Sequence, residues 1–200
     1  IHKLYSGRRF FLALEQLDKN AENYAHNKGI KIEGFVKYGQ ENPPVCDLIL
    51  GENRFAGVGC EVIAAYNYLT YEGFEPDMAK LAYDFEKNAL IAADGSLGSN
   101  PRKISGLFKA MGVEYKRFYK AEEAQAAVEE GKPVIVSFHI GLNIFSGIHT
   151  VFAVKEEGRL YVYNCYNSAA DKTEVESIYQ LMNKNSLFIV GYTEDDGQMR

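Results

Sequence analysis

What is scarce in this sequence narrows its reading first. Its 200 residues contain three cysteines, Cys46, Cys60 and Cys165, with no CxxC pair, and four histidines with no zinc-ligand spacing to the cysteines. Neither a disulfide framework nor a structural metal is expected, and an odd count leaves at least one thiol free. No apolar run reaches 18 residues, so no membrane span is expected. Basic and acidic residues number 22 and 27, for a net charge of -5, and they lie without long runs of one sign, which argues against a nucleic-acid surface or an anionic-membrane patch. Ile1-His2-Lys3-Leu4-Tyr5 lacks the apolar core of a signal peptide, and a start at Ile leaves both a cytoplasmic location and secretion with a missing leader open. Repeats and low-complexity tracts are absent. An apolar content of 46% suffices for one core or two small lobes sharing one.

Hydrophobic periodicity divides the chain into a helical first part and a strand-rich second part. Apolar residues at three- and four-residue steps from Phe10 to Ala25 predict an amphipathic helix stopped by Gly29, and Ile30 to Tyr38 alternates as a short strand. These first fifty residues read as an accessory layer, with Cys46 packed as a small hydrophobe. Helices are predicted from Cys60, over Glu75 to Asn88, and over Pro101 to Met111, with a loop at Ala92 to Pro101 that borders a cleft. After Gly112 come a strand at Val113 to Phe118, a helix at Ala121 to Glu130, and strands at Pro133 to Phe138, His149 to Lys155, Arg159 to Cys165 and Ser186 to Thr193. A helix at Thr173 to Met182 precedes the last strand. The order implies an α+β chain in which a helical lobe, 51–112, is followed by an antiparallel sheet lobe, 113–200, with a groove between them.

The stretch Gly57-Val58-Gly59-Cys60-Glu61 runs into the helix that Val62, Ile63, Ala65, Tyr66 and Leu69 outline. A cysteine in the first turn of a helix meets unpaired N–H groups and the positive end of the macrodipole, which favour a thiolate. Gly59 would let another backbone approach the sulfur. The plainer alternative is a buried cysteine packed after a turn.

A nucleophilic thiol needs a base, and the base needs an orienting partner. His2 and His26 are expected to be exposed, and His139 to be structural or loop-facing. His149 starts a strand at the rim of the sheet. That strand turns at Glu157-Gly158 into Arg159 to Cys165, a hairpin that sets Asn164 across from His149, close enough to bond the imidazole, and sends Cys165 to the other face. Asn164 could equally be a strand-ending turn residue.

Gly59-Cys60-Glu61 followed by Asn67-Tyr68-Leu69, Gly131-Lys132-Pro133-Val134-Ile135-Val136, Gly147-Ile148-His149 and Val162-Tyr163-Asn164 together resemble the papain-like cysteine peptidase superfamily. The closer likeness is to the bacteriocin-processing, double-glycine leader peptidase type and its bacterial relatives, over Gly51 to Ser168. The resemblance implies a thiol hydrolase of papain-like two-lobe fold that cleaves a peptide or isopeptide bond through an acyl-enzyme. Cys60 would be nucleophile, His149 base and then acid, and Asn164 the orienter, with no metal or organic cofactor and a peptide or protein as substrate. The usual glutamine before the nucleophile is missing: none occurs between Gln40 and Cys60, and Asn53 stands as the oxyanion donor beside the Cys60 N–H. The usual Asp-Pro after the second strand is Asn164-Cys165 here. The same triad would serve an acyltransferase or amidase, and without the glutamine an inactive papain-fold peptide binder is the remaining reading. A Cys60 sulfur within about 4 Å of a His149 nitrogen separates the enzyme from the binder.

Overall fold

A computed structural model describes residues 16–88, 98–140, 147–182 and 187–195. The start of the first predicted helix, the 141–146 part of the loop before His149, and Asp94, Gly95 and Ser96 of the glycine-rich loop lie outside the described residues. Helix α1 occupies 16–27. A hairpin of β1 (Ile49–Leu50) and β2 (Asn53–Arg54) follows, then α2 (Phe55–Val58), α3 (Cys60–Tyr71), α4 (Met78–Lys87) and α5 (Ile104–Met111). The second half contains β3 (Lys116–Phe118), α6 (Ala121–Glu129), β4 (Val134–His139), β5 (Ile148–Glu156), β6 (Arg159–Tyr163), β7 (Thr173–Val175), α7 (Ile178–Leu181) and β8 (Phe188–Thr193). Helices first and an antiparallel sheet last is the order that the hydrophobic pattern predicts.

The main sheet is antiparallel, in the order β3-β8-β4-β5-β6-β7. Strands β4 and β5 at its centre are buried on both faces, which explains their near-continuous apolar reading. On one face Ile135, Phe152, Val154, Tyr163 and Tyr192 pack with α3, α4 and α5. On the other, Val134, Val136, Phe138, Val151 and Ala153 pack with α6 and α7. Alternation is thus strict along β5, with even-numbered residues toward α3 and odd-numbered ones toward α6 and α7.

Three local readings change. The stretch expected to be a helix from Thr173 begins instead as β7, whose alternating Thr173-Glu174-Val175 pairs with β6 and buries Val175 before the single turn of α7. The stretch Ile30 to Tyr38 forms no strand, because Asn67 in the middle of α3 takes both main-chain groups of Val36: its Oδ1 accepts from the Val36 N–H at 2.9 Å and its Nδ2 donates to the Val36 carbonyl at 2.9 Å. Helix α1 buries Asn20, Asn23 and Asn27, whereas Leu17 is 51% exposed. Its asparagines hold the β1–β2 hairpin: Asn27 pairs with both main-chain groups of Ile49, and Asn23 Nδ2 donates to the Gly51 carbonyl and to Glu86 of α4. A hydropathy pattern cannot register a helix docked through amides.

The segment before Gly51, expected as an accessory layer, contributes Val36, Val45, Leu48 and Leu50 to the core under α3. Its Gly39–Asn42 stretch lies against the loop after β6, where Gly39 N–H donates to the Ala169 carbonyl and Glu41 N–H to the Asn167 carbonyl. A Cβ at Gly39 would fall 2.2 Å from the carbonyl oxygens of Tyr166 and Asn167, so only glycine fits. No helix among the described residues is long and apolar enough to cross a membrane.

Asn67→Ala strands a buried N–H and a buried C=O at once, each worth about 1–3 kcal/mol. Urea unfolding should show a loss of about 2–4 kcal/mol with an unchanged m-value. Lys80→Ala, which removes the exposed Lys80–Asp84 pair, should cost under about 0.5 kcal/mol. Equal losses for the two would exclude the Asn67 clamp as a stabilising contact.

Candidate functional site

Cys60 is the first residue of α3, half-buried, directly after α2 and Gly59. The room that Gly59 leaves is taken by the Phe55 ring, whose atoms lie 2.6 Å from where a Cβ would stand, so this glycine serves the packing of α2 on α3 rather than the approach of another chain. Burial pushes the Cys60 thiol up from its ordinary value. The neighbouring N–H groups of Thr150, Glu61 and Cys60 and the Thr150 hydroxyl pull the other way, but burial is the larger effect. Thr150, which the sequence did not single out, is thus the sheet residue that faces Cys60. Its hydroxyl lies 3.0 Å from that of Ser137 on β4, which places Ser137 and Thr150 as a polar pair beneath the start of α3.

A cleft of about 240 Å³ opens here, walled by Val58, Cys60, Glu61, Ser99, Ile148 and Thr150, with Gly57, Gly98 and Gly147 at its margins. The loop expected to border a cleft therefore does so through Gly98 and Ser99. Glu61 is buried beneath it, and burial holds its carboxyl well above the usual range, the Ser99 hydroxyl pulling less strongly the other way. Asn53 sits in β2 and is not among the residues that wall this cleft.

His149 and Thr150 are consecutive on β5 and face opposite ways. His149 is directed to the α6 and α7 side, its ring edge-on to Phe138 with centroids 6.1 Å apart, and it shares a second cavity with Cys165. No hydrogen bond joins Cys60 to His149, and the sheet passes between them. This differs from the expected arrangement, in which the two face one another across a groove. The reason is alternation: Phe152 and Thr150 face α3, so His149 faces away, and the β5–β6 ladder, which ends at Phe152↔Tyr163, sets Asn164 one step on against Val151 rather than His149. Burial lowers the His149 pKa, the carbonyl groups of Asn164 and Cys165 opposing that shift.

Asn164 does meet His149, but with its main chain. His149 Nε2 lies 2.8 Å from the Asn164 carbonyl oxygen; a carbonyl only accepts, so Nε2 carries the proton. Asn164 has φ of 55° and leaves the strand in the left-handed region, which asparagine tolerates. Its side chain turns instead to Gln40, accepting from the Gln40 N–H at 2.9 Å and donating to Gln40 Oε1 at 3.2 Å. Gln40 Nε2 in turn donates to the Ala56 carbonyl in α2, at 3.0 Å. Gln40 is thus a buried brace between β6 and the approach to Cys60, at 124 positions from Asn164, too far apart for sequence spacing to couple them. Cys165 is buried on the His149 side, as alternation from Asn164 does not predict, and Cys46 is half-buried beside Asp47. Among the described residues no three His, Cys, Asp or Glu side chains gather as metal ligands.

The model of the Peptidase_C39 like family matches residues 35–187. Seven chains of known structure match in fold. One, a Bacillus anthracis protein provisionally named a C39-like peptidase, is 16% identical, covers 80% of this chain and 98% of its own, and has a TM-score of 0.43. No curated protein matches the chain.

The Glu61 carboxyl gives a prediction with a definite sign. A folded pKa above the unfolded value of about 4.5 means that unfolding releases a proton, so its contribution is complete at low pH and is lost as pH rises, by about 1.4 kcal/mol per unit of pH up to the folded pKa. Glu61→Gln abolishes that slope. The melting temperature of the variant relative to the parent protein should climb from pH 5 to pH 8; a difference constant with pH would mean that Glu61 is ionised in the folded protein.

Proposed function

The chain belongs to the Peptidase_C39 like family, and we propose that it binds an extended peptide in the cleft at Cys60 without cutting it through a Cys60–His149 pair. The observation that carries this reading is the orientation of β5, which turns Thr150 to the sulfur and His149 to the other side of the sheet. A thiol raised by burial and facing the Thr150 hydroxyl does not have His149 as the base that acyl-enzyme formation requires. The Asn164 side chain is occupied by Gln40 and leaves no orienting amide for the imidazole. The cleft suits a peptide main chain: its glycine margins let a backbone come close, and the Ile148 and Val58 walls offer apolar contact on either side.

A cysteine peptidase on the same residues is the second reading, and the three N–H groups that lower the Cys60 pKa against burial favour it, since they stabilise a thiolate. It requires β5 to slip by one residue, which would bring His149 beneath Cys60. The slip would also lift Phe152 out of its contacts with Phe35, Tyr68 and Tyr163.

Iodoacetamide labelling over a pH series, mapped by mass spectrometry, separates the two. On the binding reading, Cys60 labels little at pH 6, its labelling rises only toward and above pH 9, and His149→Ala leaves that profile unchanged. Peptide-library profiling of the parent protein then shows no cleavage that Cys60→Ala abolishes. Rapid Cys60 labelling at pH 6 that His149→Ala slows tenfold or more would overturn the binding reading and establish the peptidase.

A further inference from the structure

The cavity on the far side of the sheet is separate from the Cys60 cleft and has a chemistry of its own. It measures about 260 Å³, and its walls are mainly apolar: Phe138, Leu181 and Ile140, with Tyr166 at the mouth, 64% exposed. Apolar cavities of roughly 150 Å³ already hold a benzene ring, so this one has room for a fused or substituted ring. His149 is the buried imidazole of this wall, beside the buried Cys165 thiol, with the exposed Asn167 at the rim. Its Nε2–H is held by the Asn164 carbonyl, and burial keeps the ring neutral, so the remaining ring nitrogen, Nδ1, is an acceptor. A buried acceptor in a largely aromatic and aliphatic wall favours an apolar ligand with a donor, because a buried acceptor without a partner disfavours a ligand that lacks the donor. The edge-on Phe138–His149 arrangement and the position of Tyr166 add aromatic surfaces.

We propose that this cavity is a binding site for a small aromatic group with one hydrogen-bond donor, indole-like or phenol-like, with His149 as the acceptor that recognises it. The group could be a free molecule or the side chain of a bound peptide. The proposal rests on the orientation of β5 described above, and it does not require that a peptide bind at Cys60.

The protein has no tryptophan, so indole fluorescence excited beyond the tyrosine band reports binding without an intrinsic indole background. The probes are indole, indene as the same shape without the N–H, and N-acetyltryptophanamide as the side chain in a peptide setting. The expected result is saturable indole binding at least tenfold tighter than that of indene, measured for indene by competition. His149→Phe should lower indole to the level of indene, and Leu181→Asp should weaken both. N-acetyltryptophanamide binding as tightly as indole assigns the site to a peptide side chain; binding of indole alone assigns it to a free molecule. Absence of saturable indole binding, equal affinity for indole and indene, or an indole preference that persists in His149→Phe would overturn the proposal. Should His149→Phe fail to fold, the indole-to-indene ratio of the parent protein and the loss in Leu181→Asp decide it alone.

Discussion

Phe152 decides which way β5 faces, and through β5 it decides the chemistry at both ends of the sheet. Its ring is fully buried between Phe35 and Tyr163 on one side and Tyr68 and Tyr71 of α3 on the other, at centroid distances of 5.3 to 6.4 Å. Removing a buried phenylalanine costs about 3–5 kcal/mol, and a one-residue slip would remove it just as a mutation would. With Phe152 held toward α3, side-chain alternation leaves no freedom two residues earlier: Thr150 must also point to α3 and His149 must point away. The strand partners agree, since Ile135 and Ser137 of β4 share the face of Phe152 and Thr150. A thiol and an imidazole that lie close in the sequence logic of a catalytic pair are thereby sorted into different environments, one against hydroxyls and main-chain N–H groups, the other in an aromatic wall.

The parts of this arrangement that depend on a single element were legible in the sequence. The helix beginning at Cys60, the buried β4, the β5–β6 hairpin with its Glu157-Gly158 turn, and the helix-then-sheet order all follow from periodicity and turn residues. The placement of Cys60 in the first turn of a helix, with N–H groups at its sulfur, is of the same kind. What spacing could not give is register to within one residue, and the orientation of His149 hangs on that one residue. Asn164 shows why: read as a continuation of the strand it lies near His149, but its left-handed backbone rotates the side chain to Gln40 and presents the carbonyl instead. Thr150, Ser137 and Gln40 gave no signal, because each acts through a contact made only by the folded sheet.

Polar side chains used as backbone partners are a recurring device in this fold. Asn67 replaces a strand neighbour for Val36, Asn27 does so for Ile49, and Asn164 for Gln40. Glu86 joins the hairpin and α1, accepting from Gly51 N–H and Asn23 at 2.7 Å each, and burial raises its carboxyl pKa. Such amides satisfy main-chain groups outside the ladders, which lets the described residues 28–48 pack without strands. They also explain why hydropathy underestimates this segment: its specificity resides in asparagine and glutamine, which count as surface residues in any pattern of apolar positions.

The fit of Gly39–Asn42 against residues 164–169 has a consequence for the order in which the protein is made. The two segments are separated by about 125 positions, and chains emerge from synthesis N-terminus first. The early segment must therefore wait, its Gly39 and Gln40 N–H groups without their native acceptors, until β6 and the turn after it have left the ribosome. Contacts of this span also carry the largest loop-closure entropy, so they close late in refolding of the complete chain as well. Up to that moment α2 lacks the brace that Gln40 provides between Ala56 and Asn164. The surroundings of Cys60 are consequently among the last to reach their final form, although its helix is among the first that the chain can build.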